Sequence, residues 1–282
     1  MKTKFILPMI MSNMLSGVAS AIMIYVSDTN PIWIGSLLAT LPLPFLLMVM
    51  TNTFGITRTS KSLPLNHLLS FTGLGIVGYT LHGAGGPHTV GDYVALAMGL
   101  LGVISLLWYV WVFTPYGRLK SAAITKGQTL PELSFHHLDG AKGSSTSFNG
   151  AKTLIVFFRA NWCPFCMNQL KEVLAQAERL AKLGVKVKFI SNQGMERNTE
   201  LAAKLDLPEH FEILQDEGLA AAKALGIEDI GGSPAGMPGY PADTVMATVI
   251  ALDEAGKVIF GDETDNYRVR PHPDTFLPVF QK

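Results

Sequence analysis

The sequence predicts an all-α membrane-spanning region followed by a water-soluble α/β domain. First, the composition divides sharply: residues 1–113 contain few ionisable side chains, whereas residues 114–282 have the charge content of an ordinary soluble domain. Second, this division explains why charged residues make up only 16% of the chain and why the mean hydropathy is +0.29. Third, strand-like and helix-like segments alternate in the second part, a pattern typical of a layered α/β domain.

Four apolar runs fill the first region, at residues 5–26, 32–50, 63–81 and 93–113. Each is close to the roughly 20 residues that an α-helix needs to cross the hydrocarbon of a bilayer. Buried helices of a soluble protein would leave a polar face for water, and these runs have none. We therefore predict a transmembrane region of four helices over residues 1–113. Pro42 and Pro44 are expected to kink or shorten the second helix.

The basic residues beside these runs predict the orientation of the helices. They lie before the first run, between the second and third, and after the fourth: Lys2, Lys4, Arg58, Lys61, Arg118 and Lys120. The other two connections, 27–31 and 82–92, contain no lysine or arginine. The positive-inside rule then places both termini on the cytoplasmic side of a multi-pass protein, as in a bacterial inner membrane. Residues 1–21 also resemble a secretory signal, but the apolar run continues to Val26, so we expect an uncleaved first span.

The second region begins with a short juxtamembrane linker at 114–126, where two basic residues suit a position near anionic headgroups. A continuous apolar run at 153–158 predicts a strand covered on both faces. From Cys163 to Ala181, apolar residues recur every three or four positions, which predicts a helix that Gly184 ends. The other predicted elements are strands at 185–190, 247–252 and 257–260, helices at 196–205 and 217–225, and a Gly- and Pro-rich loop at 231–241 beside the active site.

The two cysteines of the chain lie three residues apart, in Trp162-Cys163-Pro164-Phe165-Cys166, directly after the predicted strand. A strand that delivers Cys163 to the first turn of a helix places the thiol near the helix dipole and free backbone N–H groups, both of which lower a thiol pKa. Pro164 suits the start of the helix, because the N–H that it lacks has no helical partner there. Two thiols at this spacing can close and reopen a small disulfide. The motif therefore predicts dithiol–disulfide exchange without a further cofactor.

Residues 155–174, from the strand through C-x-x-C into the helix, resemble the active-site segment of the thioredoxin superfamily. Further segments resemble the redoxin branch of alkyl hydroperoxide reductases and thiol-specific antioxidant proteins: GQTLPEL at 127–133, LDG at 138–140, LQDEG at 214–218, ALGI at 224–227, VIALD at 249–253 and GKV at 256–258. The resemblance covers residues 127–282 and leaves the membrane region unexplained. It implies a thioredoxin-like α/β fold for 127–282, with a central mixed sheet flanked by helices.

By this resemblance and by its position, Cys163 is the attacking thiolate, because it lies at the helix start and is expected to be the more exposed sulfur. Cys166, one turn into the helix, would resolve the mixed disulfide. Arg159 would add positive charge near Cys163, or would be a solvated residue at the strand end. Trp162 would pack over the cysteine pair, or would be a plain core aromatic. The residues expected to support the pair are Arg159, Trp162, Pro164 and Phe165.

The sequence also departs from patterns of the families that it resembles. Peroxiredoxins typically carry P-x-x-x-[T/S]-x-x-C, and the cysteine of that motif aligns with Cys166. Here Cys163 stands at the hydroxyl position and Arg159 at the proline position, so both hallmarks of a peroxidase are missing. Phe157 stands where thioredoxins have a buried acid, and Ala247 stands where they have a cis proline facing the cysteines. The missing peroxidase hallmarks count against peroxidase activity without excluding it, whereas Phe157 and Ala247 imply that the proton relay and the docking of substrates differ from those of a thioredoxin.

Two kinds of site are disfavoured. A structural zinc site needs four ligands, and outside the tail the soluble region offers only His136, His137 and His210 beside the cysteines, so we predict no bound metal. The formal net charge is zero, from 22 basic and 22 acidic residues, so no global field favours nucleic acid as a partner.

We therefore predict a membrane-anchored thiol–disulfide oxidoreductase that acts on protein or small-molecule disulfides with an unidentified reducing partner. The alternative is a peroxiredoxin-like hydroperoxide reductase that uses the same cysteines. A second alternative is a redox-sensing membrane protein. The membrane region contains no cysteine, which favours an anchor or a partner-binding surface over a conduit for thiol exchange.

Overall fold

The computed structural model describes residues 2–27, 30–234 and 237–281. The chain divides into two compact units, Met1–Pro115 and Tyr116–Lys282. Asp28 and Thr29, in the first lysine-free connection, lie outside the described residues, as do Ala235 and Gly236 in the predicted loop at 231–241.

The first unit is built from long helices. They are α1 (Ile6–Val26), α2 (Pro31–Thr53), α3 (Pro64–Gly83) and α4 (Val90–Phe113). In α2 the regular helix of Pro31–Thr40 gives way to a short turn at Pro42–Pro44 and a π-helical stretch at Phe45–Met50. The two prolines explain this change, because each removes a backbone donor from the helical ladder.

The predicted number of membrane spans was not exact. Among the described residues, three helices are long and apolar enough to cross a membrane, namely α1, α2 and α4. The apolar run at 63–81 does form a helix, α3, but this helix is less apolar than the other three. Asn66, His67 and three glycines lower its hydropathy.

Small residues bring the backbones of these helices close together. A Cβ atom on Gly73 of α3 would lie 2.5 Å from the carbonyl oxygen of Gly35 and from the backbone nitrogen of Ala39, both in α2. Side-chain hydroxyls add hydrogen bonds between helices: Ser70 Oγ donates to the Ala39 carbonyl at 3.0 Å, and Ser36 Oγ donates to the Ala95 carbonyl at 2.8 Å. Helices in hydrocarbon associate through this kind of contact.

The second unit contains a seven-stranded mixed sheet. Its strands, in chain order, are β1 (Ser134–His136), β2 (Lys142–Ser144), β3 (Lys152–Phe157), β4 (Val185–Ser191), β5 (Phe211–Gln215), β8 (Thr248–Leu252) and β9 (Val258–Asp262), while β6 (Glu228–Asp229) and β7 (Thr244–Val245) form a separate pair. The spatial order is β2-β1-β5-β4-β3-β8-β9. Strands β3, β4 and β5 are parallel, and β8 is antiparallel to β3.

Helices flank this sheet, as the resemblance implied. They are α5 (Pro164–Leu174), α6 (Ala177–Lys182), α7 (Met195–Leu205), α8 (Ala220–Leu225) and α9 (Pro273–Phe276). The continuous helix predicted from Cys163 to Ala181 is interrupted at Ala175 and Gln176 and becomes α5 and α6. Strand β3 is buried along almost its whole length, which agrees with its unbroken apolar sequence.

Most of the predicted linker at 114–126 belongs to the second unit. The Asp265 carboxylate accepts hydrogen bonds from the backbone N–H groups of Gly117 and Arg118, at 2.8 and 3.1 Å. The Arg118 guanidinium forms an ion pair with Glu263 at 3.2 Å, and both side chains are largely buried. This segment is therefore fixed to the α/β domain.

Candidate active site

The cysteine pair lies where β3 runs into α5. Cys163 is the residue that precedes the helix, with extended backbone angles, and Cys166 is the third residue of the helix. The Cys163 carbonyl accepts hydrogen bonds from the backbone N–H groups of Cys166 and Met167, each at 3.0 Å. Both cysteines are unpaired thiols. They are buried, with 1% of Cys163 and none of Cys166 exposed.

Three donors converge on the sulfur of Cys166. The Arg270 guanidinium donates from Nη2 at 3.4 Å. The Cys163 thiol and the backbone N–H of Arg159 donate the other two hydrogen bonds. Burial alone would raise the pKa of the Cys166 thiol, but the hydrogen bond from Cys163, the Arg270 charge and the Arg159 donor together lower this pKa to about 5.

The Cys163 thiol has the opposite character. Burial raises its pKa well above the ordinary value, and its hydrogen bond to Cys166 adds to that increase, because this bond requires the proton to stay on Cys163. The expected attacking thiol, Cys163, is therefore as deeply buried as Cys166, and the electrostatics of the site favour a thiolate at Cys166 instead. The helix start favours a thiolate, but the side-chain donors favour Cys166 over Cys163.

Arg159 is buried at the carboxyl end of β3. Its guanidinium lies over the rings of Trp162, at 4.8 Å, and Tyr267, at 5.0 Å. It donates a hydrogen bond to the Gly232 carbonyl and lies 3.7 Å from the Asp229 carboxylate. Only 4% of Arg159 is exposed, which contradicts the alternative of a solvated strand-end residue. Its fixed charge instead favours the thiolate form of both cysteines, although burial still leaves the pKa of Cys163 raised.

The other supporting residues surround the same turn. Trp162 forms one side of the aromatic sandwich around Arg159, and its Nε1 has no hydrogen-bond partner among the described residues. Pro164 begins α5. Phe165 is buried and packs edge-to-face against Tyr267, with ring centroids 5.9 Å apart. These four positions thus shape the surroundings of the cysteines.

Sequence reasoning missed the residues that the C-terminal segment brings to the site. Arg270 contacts Cys166 and also donates from Nη1 to Gln169 Oε1 at 3.4 Å. Tyr267 covers both Arg159 and Phe165. The local signal for Gln169 was its position three residues after Cys166, on the same helical face. The segment holding Tyr267 and Arg270 has no helical or strand periodicity, so its sequence carried no comparable signal.

The predicted loop at 231–241 does reach the site. Besides the contact between Arg159 and Gly232, the Tyr240 hydroxyl donates to the Asn161 side chain. Arg197 holds Tyr240 in place, since its guanidinium donates to the Tyr240 hydroxyl at 3.1 Å and lies 4.0 Å from the ring centroid. The loop is therefore tied to the turn that carries the cysteines.

The histidines considered as zinc ligands have other contacts. His137 Nδ1 hydrogen-bonds the Glu212 carboxylate, and His210 Nε2 lies 3.0 Å from the Ala177 carbonyl. His136 Nδ1 lies 3.7 Å from Glu217. Within the described part of the chain, no group of three or more His, Cys, Asp or Glu side chains is arranged to hold a metal ion.

A mixed sheet of this order, with a C-x-x-C turn between a buried parallel strand and a helix, defines a thioredoxin-like domain with a dithiol centre. The sequence profile of the Redoxin family matches residues 125–274, just over half of the chain. The chain belongs to the Redoxin family.

The chain is similar in sequence to chloroplastic peroxiredoxins Q. The chain is 31% identical over 123 residues to the chloroplastic peroxiredoxin Q of Sedum lineare, a match that covers 43% of this chain and 65% of that protein. It is 30% identical over 123 residues to chloroplastic peroxiredoxin Q of Populus jackii, covering 43% of this chain and 57% of that protein. The matches thus span less than two thirds of these relatives.

Solved structures similar to this chain include peroxidoxin BcpB from Mycobacterium tuberculosis, at 17% identity and a TM-score of 0.46. That match covers 56% of this chain and 97% of the other. Reduced Prx3 from Vibrio vulnificus is similar at 20% identity and a TM-score of 0.46, covering 56% of this chain and 99% of the other.

Proposed function

We propose that the α/β domain is a dithiol peroxidase in which Cys166 reacts with a hydroperoxide and Cys163 resolves the product. The observation that carries this proposal is the set of three donors on the Cys166 sulfur, which favours a thiolate at that position and a protonated thiol at Cys163. Peroxiredoxin Q relatives support the same chemistry. The roles of the two cysteines are thus reversed from those expected for a disulfide reductase.

The two thiols and an external hydroperoxide account for each step of the reaction. The Cys166 thiolate attacks one oxygen of ROOH, the O–O bond breaks, and Cys166 becomes a sulfenic acid while RO⁻ leaves. The adjacent Cys163 thiol gives its proton to RO⁻, which forms ROH and leaves a Cys163 thiolate. That thiolate attacks the sulfenic sulfur and expels hydroxide, which closes the Cys163–Cys166 disulfide. A dithiol reductant then returns the pair to the reduced state.

Arg270 would stabilise charge in the first step. Its guanidinium already contacts the sulfur of Cys166, and a cation at that distance also favours the negative charge that develops on the departing oxygen. Buried thiols limit the substrate to a small molecule in this conformation, because a protein disulfide has no exposed sulfur to meet. Reduction of the closed disulfide by a protein would require the surrounding segments to open.

Thiol–disulfide exchange is the second candidate function, and the C-x-x-C spacing at a helix start favours it. In that reaction Cys163 would attack a substrate disulfide and Cys166 would resolve it. A redox-sensing role, in which closure of the disulfide is reported to a partner through the membrane region, is the remaining alternative. Three apolar helices support membrane anchoring, and we propose that the domain faces the cytoplasm.

Serine variants of the full chain in detergent separate the candidates. With a hydroperoxide and a dimedone-type probe, Cys163→Ser should still form the sulfenic acid once, because a serine hydroxyl can replace the thiol as donor, but it should not turn over. Cys166→Ser should form no sulfenic acid. If the wild-type protein consumes no hydroperoxide yet reduces a model disulfide through Cys163, the peroxidase proposal is wrong.

A further inference from the structure

Tyr116 is the first residue of the α/β unit, and its hydroxyl contacts the backbone just before β8. The hydroxyl oxygen accepts a hydrogen bond from the Ala247 backbone N–H at 3.1 Å. Ala247 immediately precedes β8, whose residue Thr248 pairs with Phe157 at the end of β3. The strand register therefore places the Tyr116 hydroxyl near the carboxyl end of β3, from which the chain continues to Cys163.

Charged groups of the site act directly on this hydroxyl. Burial raises the pKa of Tyr116 to about 12; the positive charges of Arg270 and Arg159 oppose that increase, and the Asp229 carboxylate adds to it. Both of these arginines also act on the cysteines. The phenol is therefore protonated at neutral pH, and it is coupled electrostatically to Arg270, whose guanidinium donates to the Cys166 sulfur.

The Tyr116 hydroxyl accepts a hydrogen bond but donates none within the described part of the chain. The described residues offer the hydroxyl one donor, the Ala247 N–H, and no acceptor for its own O–H. The arginines cannot accept it. The neighbouring residue Arg118 fixes the same backbone by donating to the Ala247 carbonyl at 3.4 Å and to Thr248 Oγ1 at 3.2 Å. A donor that is held in place but has no acceptor suits an oxygen-rich ligand.

We infer that Tyr116 is a substrate-binding residue of the peroxidase site, and that its hydroxyl donates a hydrogen bond to the hydroperoxide oxygen that leaves as RO⁻. This inference rests on the proposed function. The hydrogen bond strengthens as negative charge develops on that oxygen, so it acts in the oxidation of Cys166. It plays no part in the closure of the disulfide, which involves only the two sulfurs and the departing hydroxide.

The test measures the oxidation of Cys166 by hydrogen peroxide in rapid-mixing experiments on the full chain in detergent. Tyr116→Phe should lower the second-order rate constant about tenfold or more, which corresponds to the loss of a hydrogen bond to a charged oxygen. The rate of Cys166 alkylation by iodoacetamide and the rate of disulfide closure should stay within about twofold of wild type. A general loosening of the site would change all three rates.

Arg118→Met is the matched control, because it removes the other contacts with Ala247 and Thr248 but keeps the phenol. It should leave the rate with peroxide near the wild-type value, even if the thermal midpoint falls. An equal decrease in both variants would make the role of Tyr116 structural and overturn the inference. An unchanged rate in Tyr116→Phe would overturn it while the peroxidase proposal stands. A wild-type protein that does not react with peroxide would overturn both.

Discussion

At Cys166, burial and hydrogen bonding act on the thiol pKa in opposite directions. Burial favours the neutral thiol, whereas the Arg270 guanidinium, the Cys163 thiol and the Arg159 backbone N–H favour the thiolate. Cys163 receives the same burial without an equivalent set of donors. The difference between two cysteines one turn apart therefore comes from the residues around them and not from their positions in the helix.

Removal of the Arg270 charge should raise the pKa of Cys166. The comparison is best made in a Cys163→Ser background, where a single thiol titrates. The folded-state pKa is lowered, so the thiolate is present above about pH 5 and is lost as the pH falls through that value. In Arg270→Met the midpoint should move upward by about 1–3 pH units, the usual effect of a nearby opposite charge. Thiolate absorbance near 240 nm, followed against pH, measures it.

Arg179→Met provides the matched control for that titration. Arg179 is a partly exposed arginine near Asp274, and it has no contact with the cysteines. Its replacement should leave the midpoint of Cys166 unchanged. If Arg270→Met also leaves the midpoint unchanged, the Arg270 charge does not stabilise the thiolate, and the hydrogen bond from residue 163 becomes the main cause.

At the scale of elements, the sequence was informative wherever a pattern was local. The apolar run of β3, the helical period of α5 and the C-x-x-C spacing identified the strand, the helix and the cysteine pair. Arg270 lies 104 residues from Cys166, and Tyr116 lies 131 residues from Ala247. Contacts over such separations depend on how the sheet is ordered, which no local period encodes. The pKa of each cysteine depends on those contacts, which is why local sequence alone pointed to Cys163 as the thiolate.

The packing of α2 against α3 gives a prediction at the same scale. A Cβ at Gly73 would lie 2.5 Å from backbone atoms of α2, whereas a Cβ at Gly75 would meet nothing within 4 Å. Both alanine substitutions add about 1 kcal/mol of helix propensity. Overpacking should cost Gly73→Ala about 1–3 kcal/mol relative to Gly75→Ala. Thermal unfolding of the two variants in the same detergent makes the comparison, and equal midpoints would show that α2 and α3 do not pack so closely.

At the scale of the whole molecule, composition predicted two regions because hydrocarbon and water select different residues. The structure has a corresponding pair of compact units. The number of spans is a finer property. Helix α3 has 20 residues, so it rises about 30 Å and is long enough to cross, but its polar residues and glycines make it less apolar than the other three. Helix α3 is thus long enough to span the membrane but less apolar than the other helices. Whether α3 crosses decides on which side of the membrane the α/β domain lies.

Reporter fusions at three positions decide both points. If α3 crosses, fusions after Thr59 and after Lys282 should report the cytoplasm, and a fusion after Gly85 should report the opposite side, as the lysine and arginine distribution predicts. If α3 does not cross, the fusions after Thr59 and Gly85 share one side, and the fusion after Lys282 lies on the other.

Paired reporters, one active only in the cytoplasm and one only outside it, make each position its own control. We expect the first pattern. The second would place the cysteine pair outside the cytoplasm, and it would put Arg118 and Lys120 on the side that the positive-inside rule disfavours. A fusion after Lys282 that is active only outside would contradict the proposed orientation.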